Sequence, residues 1–171
     1  MLAANIAACA LCLIFLGSAW HKWQHRADFL AALAAYRLLP SSLLPVAAHI
    51  IMIAEAVAAL AVWLGGWGFL PVMALLALYS VAIAINLARG RLHMDCGCGG
   101  QPIHLSWHLL LRNGALLLLA IFGAAAAPGW HSASVALLSV LCGGIVLLFY
   151  LTANQLLANR SYWHSQQGIR P

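Results

Sequence analysis

Residues 43–64 read LLPVAAHIIMIAEAVAALAVWL, and this stretch decides the class of fold. It is a long apolar run that a single acidic residue, Glu55, interrupts. A helix that crosses a bilayer needs about 17 to 25 mostly apolar residues. The stretch therefore predicts a transmembrane helix. Glu55 becomes a functional candidate because an ionisable group at that depth is costly to bury.

Four other stretches meet the same criterion. The predicted spans are residues 2–20, 43–64, 69–88, 107–126 and 135–157. The composition agrees, because 65% of the residues are hydrophobic and 6% are charged, whereas a soluble domain carries about 25% charged residues. The sequence predicts an all-α polytopic membrane protein in which a fifth transmembrane helix joins a four-helix transmembrane bundle. Residues 1–158 form one transmembrane domain, and residues 159–171 form a short polar tail.

The first span and the segment after it differ in character. No Lys or Arg precedes Lys22, and a secretory signal begins with positive charge, so we expect the first span to be a retained helix. In residues 21–40, Phe29, Leu33 and Tyr36 recur at helical spacing among charged residues. This pattern is typical of an amphipathic segment lying in the membrane interface.

The basic residues predict the topology. They fall between the first two spans, between the third and fourth spans, and after the fifth, which leaves the other two turns without Lys or Arg. The positive-inside rule then places the N-terminus outside and residues 89–106 on the cytoplasmic side of the cell inner membrane. The formal charge of +5 is scattered, so the expected surroundings are a lipid bilayer and not a nucleic acid.

The connection between the third and fourth spans carries the most reactive pair. Cys96 and Cys98 are separated by one glycine. A disulfide across so short a spacing is geometrically tight, and strained, exposed disulfides are the labile ones used in exchange. The spacing favours a redox-active pair. The same thiolates, with His93 and Met94 close by, also suit transport of a soft metal such as copper or mercury.

Three further cysteines lie within the spans. Cys9 and Cys12 stand at i, i+3 and so share a face of the first helix, which suits either a redox relay or simple packing. Cys142 stands beside two glycines, and this pattern favours helix packing.

The intramembrane polar residues predict a cluster beneath the cysteine connection. Its expected members are His49, Glu55, Asn86 and Arg112. We expect Arg112 either to pair with Glu55 or to extend to the interface. No resident metal site, nucleotide-binding fingerprint or hydrolase motif is predicted.

Several motifs in order carry a resemblance to a known family. They are residues 36–40 (YRLLP), Glu55, residues 86–91 (NLARGR), 95–99 (DCGCG) and 111–113 (LRN). On these motifs the chain resembles the methylamine utilisation MauE family and its DoxX-like redox-associated membrane relatives, over roughly residues 10–125. Gly100 departs from the pattern, since a bulkier residue is expected there.

The resemblance implies a function in thiol-disulfide exchange. Members of the family support maturation of the disulfide-rich, exported β subunit of methylamine dehydrogenase, alongside a thioredoxin-like partner, MauD. By this resemblance Cys96 and Cys98 are the redox pair of a thiol-disulfide oxidoreductase. Two routes stay open: a transmembrane relay through Cys9 and Cys12, or a periplasmic pair that passes electrons to a quinone. A non-catalytic assembly subunit is the third alternative.

Overall fold

The computed structural model describes residues 2–90, 106–126, 128–129 and 132–167, with side chains as far as residue 159 except that of residue 157. The described residues fold into helices joined by short turns. The helices are α1 (Leu2–Gln24), α2 (Arg26–Ala35), α3 (Leu44–Ala61), α4 (Leu70–Ala88), α5 (Trp107–Ala126) and α6 (Ala133–Gln167). Short 3-10 turns extend α3 and α4 at Ser41–Leu43, Val62–Leu64 and Gly66–Phe69.

Five described helical stretches are long and apolar enough to cross a membrane. They are Leu2–Gln24, Ser41–Leu64, Gly66–Ala88, Trp107–Ala126 and Ala133–Leu156. The predicted all-α, multi-pass fold is therefore confirmed. Two boundaries differ from the prediction, because α1 continues through Lys22 to Gln24 and α6 continues as a helix to Gln167.

Four of the long helices form a closed bundle. Helix α1 packs against α3, α3 against α4, α4 against α5, and α5 against α1. Helix α6 packs mainly along α1. Consequently α1 is the most buried span and α6 the least, which is the predicted arrangement of four helices plus one.

The bundle has an apolar interior and an equally apolar exterior. Leu11, Phe15, Val62 and Phe69 lie in its main core cluster. Large aliphatic side chains cover the outer face of α3, where Ile50, Ile53, Val57 and Leu60 are all exposed. A helix that is apolar all round is expected where lipid replaces water. The exposed face is therefore the lipid-facing surface.

The contact between α1 and α6 depends on a glycine. A Cβ atom placed on Gly143 would lie 2.7 Å from Cβ of Cys9. Small residues allow such close approach of transmembrane helices. This explains the glycine beside Cys142, in keeping with the packing role expected for that stretch.

Helix α2 covers one end of the bundle. It packs against α3 and, less extensively, against α1, and it buries Phe29 and Ala32. At this end α1 and α4 finish and α3 and α5 begin. Because residues 89–106 join α4 to α5 here, we call it the connector end.

Candidate functional site within the helix bundle

A buried ion pair lies inside the bundle. The ammonium group of Lys22 on α1 donates a hydrogen bond to Oε1 of Glu55 on α3. The Lys22 side chain is 4% exposed and that of Glu55 is 1% exposed. Removing two charges from water so completely is expensive, and the pair tolerates it because each charge compensates the other.

Two hydroxyl groups also donate hydrogen bonds to this carboxylate oxygen. Tyr79 Oη on α4 donates to Glu55 Oε1 at 2.6 Å. Ser18 Oγ accepts from Lys22 Nζ at 2.9 Å and donates to Glu55 Oε1 at 3.3 Å. Three donors from α1 and α4 thus converge on one oxygen atom of α3. We call Ser18, Lys22, Glu55 and Tyr79 the carboxylate cluster.

The position of Lys22 follows from helix geometry. Side chains on an α-helix tilt toward its N-terminus, so the Lys22 stem runs back along α1 into the bundle. Its hydrogen bond to Ser18, four residues earlier, fixes that direction. Lysines near membrane helix ends usually extend outward to water. Here the buried carboxylate draws the ammonium group inward instead.

Aromatic rings surround the ammonium group. Lys22 Nζ lies 5.2 Å from the ring centroid of Phe29 and 5.3 Å from that of Tyr79. A cation over an aromatic face is stabilised by about 2 kcal/mol when it is desolvated. These rings therefore help to hold the charge in an apolar setting.

The second carboxylate oxygen of Glu55 is in a different situation. Within the described part of the chain, Glu55 Oε2 and Asn113 Nδ2 are buried and have no hydrogen-bond partner. Both residues line a cavity of about 30 Å³, together with Arg112 and Tyr150. We call this the polar cavity. A water molecule needs about 10 to 15 Å³, so the polar cavity has room for about two.

Arg112 links α5 to α6 beside the polar cavity. Its guanidinium group donates to Asn154 Oδ1 at 3.0 Å and to Asn113 Oδ1 at 3.3 Å. The group also lies 5.7 Å from the ring centroid of Tyr150. Arg112 and Glu55 therefore share a cavity wall, whereas the ion pair that the structure records for Glu55 is with Lys22.

A larger cavity lies on the other side of Lys22 and Tyr79. It has a volume of about 230 Å³. Most of its lining residues belong to α2, to the segment that follows α2, and to α3 and α4. Its wall is almost entirely apolar and includes Phe29, Tyr36 and Ile83. We call this the apolar cavity. Lys22 and Tyr79 line both cavities and so form the partition between them.

The other two members of the predicted cluster lie elsewhere. His49 is partly exposed, and its Nδ1 atom is 2.7 Å from the carbonyl oxygen of Pro45 on its own helix. Asn86 is fully buried near the end of α4, where its amide donates to the Ala82 carbonyl at 3.1 Å. Neither residue lines the polar cavity.

The cysteines of α1 lie in the core of the bundle. Cys9 and Cys12 are buried free thiols, and Trp63 Nε1 donates to Cys12 Sγ at 3.3 Å. Cys142 on α6 is a partly buried free thiol. Cys96 and Cys98 lie outside the described residues, as do His93 and Met94. Among the residues that the structure does describe, no three His, Cys, Asp or Glu side chains group as metal ligands.

Sequence reasoning missed three members of the carboxylate cluster: Ser18, Lys22 and Tyr79. In the sequence Lys22 follows the first predicted span, where it is one of the basic residues that predict the topology. The available signal was helical spacing, because Leu11, Phe15, Ser18 and Lys22 follow one another at intervals of three or four residues. That spacing places Lys22 on the buried face of α1.

Comparisons with known proteins agree with the resemblance found in the sequence. The family model described as methylamine utilisation protein MauE matches residues 1–126. The methylamine utilization protein MauE of Paracoccus denitrificans is 33% identical over 153 residues, which cover 85% of this chain and 82% of that protein. The MauE proteins of Methylophilus methylotrophus and Methylorubrum extorquens are 31% and 38% identical, over 88% and 67% of this chain and 84% and 64% of their own lengths. No solved structure matches the chain.

Proposed function

Because the chain belongs to the MauE family of methylamine utilisation proteins, we propose that it is a membrane thiol-disulfide redox protein whose reactive pair is Cys96 and Cys98. It acts in methylamine metabolism from the cell inner membrane. Its substrate is an exported protein that contains disulfides, and the β subunit of methylamine dehydrogenase is the expected example. A thioredoxin-like protein of the MauD type is the expected partner.

The uneven distribution of buried polar residues supports this proposal. Lys22, Asn86 and Asn113 are buried close to the helix ends at the connector end. Fewer of the described polar residues are buried toward the other end, where Asn5 is an example. Residues 89–106, which contain both cysteines, join α4 to α5 at that end. Buried polar groups in a membrane are expensive and mark function by default. A subunit that only packs against its neighbours has no need of this arrangement.

The proposed exchange conserves electrons and protons. A thiolate of the substrate attacks the Cys96–Cys98 disulfide and forms a mixed disulfide. The second substrate thiolate then resolves the mixed disulfide. The substrate gains one disulfide, and Cys96 and Cys98 become two thiols. Two electrons and two protons move from the substrate to the membrane protein.

The α1 cysteines support a direct reaction better than a relay. Cys12 precedes Gln24, the last residue of α1, by 12 positions, which is about 18 Å along a helix. Thiol-disulfide exchange requires sulfur atoms in contact. Trp63 and the surrounding core hold Cys12 away from the connector end. We therefore assign Cys9 and Cys12 to packing in this mechanism.

Mass-shift labelling of thiols tests the proposed pair. The variant Cys9→Ala/Cys12→Ala/Cys142→Ala keeps only Cys96 and Cys98 and is labelled in membranes with a heavy maleimide, with and without prior reduction. We expect both labels to attach only after reduction. A matched control that also carries Cys96→Ser retains a single thiol, which should react without reduction.

Two results would contradict the proposal. Complete labelling without reduction would show that Cys96 and Cys98 do not form a disulfide. Stoichiometric binding of copper or mercury by the same variant would then favour metal transport. The second result concerns the β subunit of methylamine dehydrogenase in cells that carry the Cys96→Ser/Cys98→Ser variant. If the β subunit still acquires its disulfides there, this protein is better interpreted as a non-catalytic assembly subunit. Repeating the labelling with a membrane-impermeant maleimide in intact cells determines which side the pair faces.

A further inference from the structure

The carboxylate cluster separates an apolar compartment from a polar one. The apolar cavity is lined mainly by α2, α3 and α4, and the polar cavity lies inside the bundle among α1, α3, α4, α5 and α6. Lys22 and Tyr79 belong to both walls, and both donate to the same oxygen of Glu55. A membrane protein that needed this ion pair only for stability would have no use for a cavity on each side of it.

The apolar cavity is large enough for a substituted ring. Its volume of about 230 Å³ exceeds the cavity of about 150 Å³ that accommodates benzene in a protein core. The cavity is also partly open. The bundle around it contains, among the described residues, five helical stretches that are long and apolar enough to cross a membrane. An amphiphile could therefore enter from the lipid phase, ring first, and leave an apolar tail among the lipids.

The inner wall of the apolar cavity offers hydrogen-bond donors. An ammonium group has three N–H donors, and Lys22 uses two of them on Ser18 and Glu55. Among the described residues, the third has no hydrogen-bond acceptor. Phe29 and Tyr79 place ring faces beside the same nitrogen. This combination suits a flat ring that carries a carbonyl oxygen.

We propose that the apolar cavity binds the ring of a lipid-soluble quinone and that the carboxylate cluster supplies protons to it from the polar cavity. This inference rests on the proposed thiol-disulfide function. The Cys96 and Cys98 thiols form a disulfide and release two electrons and two protons. The quinone takes up two electrons and two protons and leaves as the quinol. The quinone is thus the oxidant that regenerates the disulfide.

The arrangement of Glu55 explains the proton supply. Its Oε1 atom faces Lys22 and Tyr79, whereas its unpartnered Oε2 atom belongs to a residue that lines the polar cavity. A carboxylate bridging the two compartments accepts a proton on one side and returns one on the other through Tyr79 or Lys22. Arg112 and Asn113 line the polar cavity together with Glu55.

A binding experiment tests the cavity independently of the thiols. The probe is decylubiquinone, added to Cys96→Ser/Cys98→Ser protein in lipid nanodiscs, with bound quinone measured by quenching of tryptophan fluorescence. Ala82 lines the apolar cavity, so we expect Ala82→Trp to fill it and weaken binding at least about tenfold. Ala84 is exposed on the same helix and does not line the cavity, so Ala84→Trp should bind as the parent does.

A second variant tests the proton path without changing the shape of the site. Tyr79→Phe keeps the ring and removes the hydroxyl group that bonds Glu55. In protein with both thiols present, we expect quinone binding to stay within about twofold. Quinol formation should slow by about 10² to 10⁴, the usual contribution of a positioned acid or base.

The outcomes separate this inference from the proposed function. One outcome is saturable quinone binding that Ala82→Trp abolishes, in a protein whose Cys96 and Cys98 form no disulfide. That outcome would support quinone binding in the apolar cavity and contradict the proposed thiol function. A cycling Cys96–Cys98 pair with no saturable binding, or with equal binding by Ala82→Trp and Ala84→Trp, would overturn the quinone site alone. Displacement of the probe by phospholipid at its ordinary bilayer concentration would assign the cavity to a lipid chain.

Discussion

Two buried polar sites at opposite ends of α1 differ in how completely their hydrogen bonds are satisfied. Near the start of α1, the side-chain amide of Asn5 donates to the Gly129 carbonyl and accepts from the Gly129 amide, both at 2.8 Å. Near the end of α1, Lys22 and two hydroxyl groups all converge on one oxygen of Glu55. The other oxygen of Glu55 has no partner among the described residues.

The difference indicates which site serves structure and which serves chemistry. Asn5 ties α1 to the connection between α5 and α6, and its two bonds pair both backbone groups of the partly buried Gly129. Stability alone explains it. The carboxylate cluster instead leaves one carboxylate oxygen of Glu55 without a protein partner among the described residues, in a residue that lines a cavity with room for about two water molecules. A carboxylate placed in this way can exchange a proton or a ligand.

Breaking the ion pair should have the largest effect on stability. The variant Lys22→Met removes the ammonium group and leaves the Glu55 carboxylate buried without its counter-charge. We expect the free energy of unfolding to fall by about 3 to 5 kcal/mol, which is the usual cost of removing one partner of a buried pair. Unfolding in mixed micelles by titration with sodium dodecyl sulfate measures this change.

A double variant separates charge from function in the same experiment. Lys22→Met/Glu55→Gln has no buried charge at the cluster, so most of the lost stability should return. Reoxidation of the Cys96–Cys98 pair by quinone should remain defective, because without the Glu55 carboxylate neither Tyr79 nor any other donor at the cluster is resupplied with protons. If the double variant recovers both stability and reoxidation, the cluster is a structural element like Asn5.

Removing the Asn5 side chain should lower the free energy of unfolding less than breaking the ion pair does, and it should affect stability alone. Asn5→Ala leaves the amide and the carbonyl of Gly129 without their partner, at a cost of about 1 to 3 kcal/mol. The redox state of Cys96 and Cys98 and the binding of decylubiquinone should not change, because Asn5 lies at the other end of α1. A loss of quinone binding in stable Asn5→Ala protein would remove the distinction between the two sites.

The amino-acid sequence predicted the fold more completely than it predicted the cluster, for a physical reason. Transmembrane spans follow from local hydropathy, and each predicted span is found within a few residues. Glu55 was identified because one acidic residue in an apolar run is conspicuous. Its partner was not identified, since Lys22 stands where loop charges are common. The packing of α1 against α3 gives this lysine a buried carboxylate to pair with.

The neighbours of Glu55 show the same limit to what the sequence predicts. From the sequence alone Arg112 is the expected partner of Glu55, but which basic residue pairs with it depends on which helices are adjacent. The ring of α1, α3, α4 and α5 brings Lys22 directly onto Glu55 and aims Arg112 at Asn154 on α6. Tyr79 was hidden among apolar residues because its ring is compatible with a lipid-facing position.

The smallest effect is expected at His49, which the sequence placed in the same cluster as Glu55. In the structure its ring is partly exposed and contacts the Pro45 carbonyl of its own helix. His49→Ala should therefore change the free energy of unfolding by no more than about 0.5 kcal/mol. Quinone binding and reoxidation of Cys96 and Cys98 should match the parent protein, with Lys22→Met as the positive control. A His49→Ala protein that is stable but slow in reoxidation would extend the functional cluster along α3 toward the connector end.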